Sequence, residues 1–298
     1  MAVASGHLLL PLATIALLLS VHVGAELAAS TPNLSCPVCQ GPDTAPNPGQ
    51  FNFFFLVRQW PFQFCHQANK CSIVPDEAEG FTLHGLWPNL DNPCPADYPE
   101  HCDDSVFNRN EIDDDVLQSM NRTWPSYSTS DDCFWAHEWS CHGSCSGWNQ
   151  HDYFSNVINL HNDNDIAGAL RAADIVPSKD EVSTSDFLAA LTKKFGYEPI
   201  LFCDEDRSRN KYIDSVYQCV DHQYNIIDCA TVCHVHNCQP HEERQQCGDS
   251  FFYKTVNVQA GGEHRCKNAV CEPKSGTCRP RGGHHHGKEM INDPTLAS

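Results

Sequence analysis

Eighteen cysteines, the first of them at position 36, constrain this chain more than any other feature. An even, high cysteine count predicts a disulfide framework built in an oxidising compartment. The N-terminus agrees. Leu8 to Val21 is an almost unbroken apolar run, followed by the small-residue pattern Val23-Gly24-Ala25 ahead of Glu26. This is the layout of a secretory signal peptide over residues 1–25, although a basic n-region is missing. The run is short for a membrane span, and no later segment approaches the ~18 apolar residues a span needs, so no membrane contact is expected once the leader is removed. Asn33-Leu34-Ser35 and Asn121-Arg122-Thr123 are N-glycosylation acceptors and fit export. Cys36-Pro37-Val38-Cys39 has the spacing of half a zinc site, but no second pair follows at a suitable distance, so no metal is expected.

The formal net charge is −19, and residues 1–25 contain no Asp, Glu, Lys or Arg. Such an acidic chain cannot hold nucleic acid through a broad basic surface. Recognition of a polyanion would need a local pocket, helped at low pH by the charging of some of the 17 histidines.

Residues 26–48 read as an irregular N-terminal arm. Strands are expected at Phe51–Val57, at Phe81–Trp87 (stopped by Pro88), at Tyr212–Val220 paired with Tyr224–Cys229, and at Phe251–Val258. Asp152–Leu160 and Ser185–Phe195 have helical spacing, the second with Ser183, Thr184 or Ser185 as N-cap and Gly196 as its end. The acidic stretch 91–115 reads as a solvated loop running into a short helix. From Gly261 the chain lacks apolar periodicity and ends beyond His284-His285-His286, which marks an extension outside the domain. The expected fold class is α+β, a domain over residues 49–258 with strands separated by disulfide-stapled loops and an extension over 259–298.

Two segments concentrate reactive side chains. Phe81-Thr-Leu-His84-Gly85-Leu-Trp87-Pro88 puts a histidine on a strand beside a glycine, where another group can approach the backbone closely. The second segment is Phe134-Trp135-Ala-His137-Glu138-Trp139-Ser-Cys141-His142-Gly143-Ser-Cys145. If it is helical to Gly143, Glu138 and His142 share one face, and a carboxylate beside an imidazole suits general acid–base work. His137 and His142 are five apart rather than four, which rejects the zinc-protease pattern.

Together these segments resemble the two signature active-site segments of the ribonuclease T2 family, and Gln59-Trp60-Pro61 upstream resembles a further family element. The resemblance spans about residues 50 to 258 and suggests the acidic, plant-like branch. It implies a mainly antiparallel sheet packed with helices, and cleavage of single-stranded RNA, not DNA, by a cofactor-free monomer. The ribose 2′-hydroxyl would attack the adjacent phosphorus to leave a 2′,3′-cyclic phosphate. It implies His142 as base, His84 as acid, Glu138 and His137 at the phosphate, and Gln59, Trp87 and Phe134 in substrate pockets where an aromatic face stacks on a base. It also implies disulfides among Cys65, Cys71, Cys102, Cys145, Cys203, Cys219, Cys229 and Cys238, with Cys145 pairing back to Cys94 or Cys102 and Cys233 as the alternative to Cys238. An ordinary histidine pKa near ~6.5 suggests an acidic optimum, in a vacuole, a lysosome-like organelle or the extracellular space.

One position departs from the family pattern. Cys141 stands where the family carries a lysine just before the second catalytic histidine. Loss of one preorganised donor typically costs on the order of 10²–10³ in rate, and a thiol is a poor substitute. The even cysteine count suggests a disulfide for Cys141, with Cys133 as the nearby candidate, and Arg122 or a protonated His151 as candidate replacement cations. A weakened homologue acting as an RNA-binding, storage or defence protein is the alternative function.

Overall fold

In the computed structural model the described residues are 47–67, 71–76, 80–91, 99–232, 247–257, 269–271 and 278–280. The signal segment, most of the arm, Asn33, Cys94, Cys233, Cys238 and the terminal histidines lie outside them.

The longest apolar run becomes the middle of the sheet. Strand β1 (Phe53–Gln59) is buried at every position, as expected for a strand covered on both faces. It pairs antiparallel with β2 (Thr82–Asn89) on one side and, further along the chain, with β5 (Lys211–Val220) on the other. Its odd positions Phe53, Phe55 and Val57 pack with Trp87, Phe202 and Tyr217. Its even positions Phe54 and Leu56 join a larger core with Trp124, Trp135, Trp139, Tyr153 and Phe154. That core is shared by α2 (Asp114–Thr123), α3 (Asp131–Cys141) and α4 (Gln150–Asp163). A short helix α1 (Pro61–Gln67) follows β1, with proline at its first position, where no amide donor is needed.

The C-terminal half adds α5 (Ile166–Arg171), β3 (Glu181–Ser183), α6 (Thr184–Phe195), β4 (Ile200–Glu205), β6 (Ile226–Ile227), α7 (Cys229–Val232) and β7 (Ser250–Phe252). Strand order is β2-β1-β5-β7-β3, with β4 and β6 also on β5, and among the described residues the β5–β7 pairing is the one parallel contact. A second core of Trp60, Phe81, Phe187, Leu191 and Phe251 fixes α5 and α6 to this half. Two further strands, β8 (Ala269–Cys271) and β9 (Cys278–Pro280), form an antiparallel pair of their own. Among the described residues no helix is long and apolar enough to cross a membrane.

The architecture is the expected α+β sheet-and-helix fold, but several boundaries move for identifiable reasons. β2 runs through Pro88 to Asn89, because it is an edge strand and a missing amide donor there costs little. The strand expected over Tyr224–Cys229 shrinks to Ile226–Ile227. Asp221 accepts from the amides of Gln223 and Asn225 to make a turn, Tyr224 takes φ +65°, and Asp228 caps the start of α7. The last strand stops at Phe252, since the carbonyls of Tyr253 and Lys254 bond Ser178 N and Trp60 Nε1 instead of a neighbouring strand. α6 is capped by Ser183, whose hydroxyl accepts from Asp186 N, and ends at Gly196 with φ +89°.

Four disulfides join described residues: Cys65–Cys71, Cys102–Cys145, Cys203–Cys247 and Cys219–Cys229. Cys247 was not among the expected bridging residues. Cys141 corrects the expectation outright: it is a buried free thiol, and Cys133 is disulfide-bonded elsewhere. Both lie on α3 eight residues apart, which at 1.5 Å per residue is about 12 Å along the axis, well beyond disulfide reach.

Candidate active site

The site is assembled where β2 meets the C-terminal end of α3. The register between β1 and β2 shifts at this point: Val57 faces Gly85 and Arg58 faces Leu83, so His84 is the extra residue of a β-bulge. Bulges re-aim a side chain out of the regular pleat. His84 is held in that pose from behind, because Trp124 Nε1 donates to its carbonyl at 2.7 Å. Two residues on, the Leu86 carbonyl accepts from the Tyr153 hydroxyl at 3.0 Å. Donors from the C-cap of α2 and from α4 thus satisfy these carbonyls of the edge strand beside the site.

α3 supplies the other half. Its N-cap Ser130 accepts from Cys133 N, and Asp131 and Asp132 sit in the first turn, where the helix dipole favours negative charge. It is buried nearly all round, from Cys133 to Cys141, with only His137 of that stretch partly open. The helix ends at Cys141, two residues earlier than a helix running to Gly143. His142 is its C-cap, and a 3-10 turn over Gly143–Cys145 follows, fastened by Cys102–Cys145.

Between the halves stands Trp87. Its ring stacks on His142 with centroids 4.9 Å apart and meets His84 edge-on at 5.1 Å. Its Nε1 donates to Glu138 Oε2 at 3.0 Å. Glu138 is completely buried, and its Oε1 lies 3.7 Å from His84 Nε2. The carboxylate therefore reaches an imidazole across the sheet–helix junction, while its own backbone carbonyl accepts from His142 N at 3.0 Å. Burial pushes the Glu138 carboxyl well above the usual glutamate range; the Trp87 hydrogen bond pulls it back and Glu100 raises it further. A protonated His84 at this distance favours the ionised form. Gly85 makes the approach possible, because a Cβ there would overlap both Glu138 Oε2 and Trp87 Nε1.

An adjoining cleft is lined by Gln59, His84, Phe134 and His137, and by Phe64 and the Ser126-Tyr127-Ser128 segment. Three of the four residues expected to bind substrate, Gln59, Phe134 and His137, face it. Trp87 does not. It is buried, with its ring against both histidines. Phe64 and Tyr127 form a wall that no sequence motif marked. Cys65–Cys71 holds it, and Ser72 donates to the Tyr127 carbonyl through both its amide and its hydroxyl, at 2.7 and 2.9 Å.

Cys141 Sγ lies 3.5 Å from both His137 Nδ1 and His101 Nε2. Burial raises the thiol's pKa, and Glu100 and Glu138 raise it further, so the group is neutral and supplies no positive charge. The two candidate replacement cations stand elsewhere: Arg122 is exposed on α2, and His151 Nε2 lies 3.7 Å from Asp113. Neither lines the cleft. Asn121 is exposed near the end of α2. Among the described residues no group of three or more His, Cys, Asp or Glu side chains is placed to hold a metal ion.

Comparison with known proteins gives a consistent result. The model of the ribonuclease T2 family matches residues 51–229. Ribonuclease 1 of Arabidopsis thaliana is 35% identical over 193 residues, covering 62% of this chain and 82% of the relative. Extracellular ribonuclease LE of Solanum lycopersicum is 35% identical over 189 residues, covering 60% and 80%. Among solved structures, RNase NT in complex with 5′-AMP superposes with a TM-score of 0.60 at 31% identity, covering 69% of this chain and 99% of that one.

Proposed function

Because the chain belongs to the ribonuclease T2 family, we propose that it is an endoribonuclease that cleaves single-stranded RNA by transphosphorylation. His142 takes the proton from the ribose 2′-hydroxyl and the 2′-oxygen attacks phosphorus. His84 protonates the departing 5′-oxygen, leaving a 2′,3′-cyclic phosphate that water later opens. The observation that carries this reading is the arrangement of the two imidazoles around Trp87, with Glu138 3.7 Å from His84 and His84 itself lining the adjoining cleft. Glu138 positions His84 and steadies its charged form, which an acid needs before it gives up its proton. His137 stands at the phosphate, and Gln59, Phe134, Phe64 and Tyr127 bind the flanking nucleotides. DNA, lacking the 2′-hydroxyl, is not cut.

The experiment is incubation of the purified protein with a ribonucleoside dinucleotide across mildly acidic to neutral pH, with and without a chelator. Cyclic phosphate should form at a rate the chelator does not change. A yield no higher than that of a His84→Ala control would overturn the enzymatic reading. Residues 1–25 direct export in the same proposal, to the extracellular space or an acidic organelle. N-terminal sequencing of the exported chain should begin at Glu26.

One observation favours a second reading. The buried neutral thiol of Cys141 puts no charge where the family resemblance expects a lysine, which describes a slow enzyme kept for RNA binding, storage or defence. Tight RNA binding with turnover at the level of the His84→Ala control would select it.

A further inference from the structure

Arg58 precedes the cleft residue Gln59 in β1, but its side chain points the other way, toward the face that Phe54 and Leu56 share with the helices. It is wholly buried. Nη1 donates to the Asn164 carbonyl at 2.6 Å, at the C-terminal end of α4, where a cation is favoured. Nε and Nη2 meet no protein acceptor. These two nitrogens lie on the same edge of the guanidinium, the edge that grips two oxygens of one anion with parallel hydrogen bonds.

No carboxylate is within ion-pair distance of Arg58 among the described residues. Asp165 attracts it only through space, because Oδ1 accepts from Gly168 N at 2.8 Å and Oδ2 lies 3.8 Å from Arg171. Burial lowers the Arg58 pKa to about 9, which leaves it cationic at neutral and acidic pH. A buried cation with two idle donors is costly unless something fills the place.

There is room for it. Arg58 lines a cavity of about 260 Å³ with Phe81, His161, Asn162, Asp165 and Ile166. His161 Nδ1 is also buried and without a hydrogen-bond partner. Burial and the neighbouring Arg58 push the His161 pKa down to about 3. It is thus a neutral ring, able to turn an N–H to an anion. The cavity is below the roughly 300 Å³ at which pockets for drug-sized ligands begin, which suits an ion rather than a nucleotide.

We propose that this cavity is a binding site for a small oxyanion, gripped by the Nε/Nη2 edge of Arg58 and separate from the RNA cleft on the other side of β1. Inorganic phosphate and a small carboxylate share the required chemistry. Titration calorimetry of the full chain at about pH 6, with phosphate and with acetate in a chloride background, compares them, since both are at least singly charged there. One anion-binding site is expected. It persists in His84→Ala and weakens by roughly thirtyfold or more in Arg58→Gln, as for a truncated buried charge pair. Arg58→Gln should still cleave RNA at nearly the parent rate. Tighter binding of phosphate or of acetate names the ligand class. Failure of both to bind, or equal binding to Arg58→Gln, overturns the proposal. If Arg58→Gln does not fold, crystals of the unmodified protein soaked in selenate decide: anomalous density at Nε and Nη2 supports the site, and ordered water there refutes it.

Discussion

Replacing Gly85 by alanine adds one methyl group at the point where the Glu138 and Trp87 side chains meet beside His84. The new Cβ would overlap Glu138 Oε2 and Trp87 Nε1, and would reach Trp87 Cδ1 at 2.9 Å. Neither neighbour can swing into water, because Glu138 is completely buried and Trp87 nearly so. The Trp87–Glu138 hydrogen bond must therefore break or stretch. Leaving buried partners unsatisfied costs about 1–3 kcal/mol, and forcing side chains apart in a packed core costs a further ~1–3 kcal/mol. A total near 4 kcal/mol corresponds to a melting temperature lower by roughly 8–16 °C in a domain of this size. Because Glu138 is 3.7 Å from His84, a shift on the order of 1 Å should also lower kcat/KM by about 10². The assay is thermal unfolding at one pH together with initial rates of dinucleotide cleavage. Gly196→Ala is the matched comparison. Its Cβ would meet nothing within 4 Å, but φ there is +89°, so the cost is about 1 kcal/mol, with no change in rate. A Gly85→Ala protein that melts and cleaves like the parent would refute the claim that this glycine makes room for the Glu138 contact.

Cys141→Lys should raise kcat, by up to about 10² if the missing donor is what limits turnover; stopped-flow cleavage at saturating substrate measures it, and an unchanged rate would show that the thiol position does not limit the reaction. Removing Cys102–Cys145, which closes 43 residues of chain, as the double alanine variant should cost about 4 kcal/mol by loop entropy and loosen the turn after His142, read by denaturant unfolding and by kcat. His161 is held neutral by burial, its pKa pushed down to about 3, so its contribution to stability is present above the unfolded histidine pKa of ~6.5 and is lost as pH falls toward 3. Between pH 7 and pH 5 the stability advantage of the parent over His161→Gln should shrink by about 2 kcal/mol; a gap independent of pH would show that the ring charges freely in the folded state.

Which parts of this site could be read from the sequence follows from how local each determinant is. The all-apolar β1, the capped helix from Thr184 to Phe195 and the two histidine segments announce themselves within windows of about a dozen residues, which is the range over which hydrophobic periodicity and capping operate. The bulge at His84 does not, because a register shift exists only between two strands, and β1 and β2 have 22 residues between them. Helical spacing brings the His142 amide onto the Glu138 carbonyl, yet it is blind to the sheet, so the approach of Glu138 to His84 and the packing of Trp87 against both histidines could only be seen once the strand and helix were docked. Even cysteine arithmetic fails for the same reason: parity says how many thiols can pair, while helix geometry keeps Cys133 and Cys141 too far apart to do so. Arg58 is the sharpest case. In sequence it is one polar residue at the end of an apolar strand, next to a cleft residue, and its alternation with Gln59 is the only hint that it serves the other face. What makes it a candidate site is the combination of the Asn164 carbonyl taking one nitrogen and leaving a two-donor edge open to a cavity, and every one of those partners except Phe81 comes from α4 or beyond, more than a hundred residues away. Chemistry that depends on one element's own period is written locally; chemistry at the seams between elements is not.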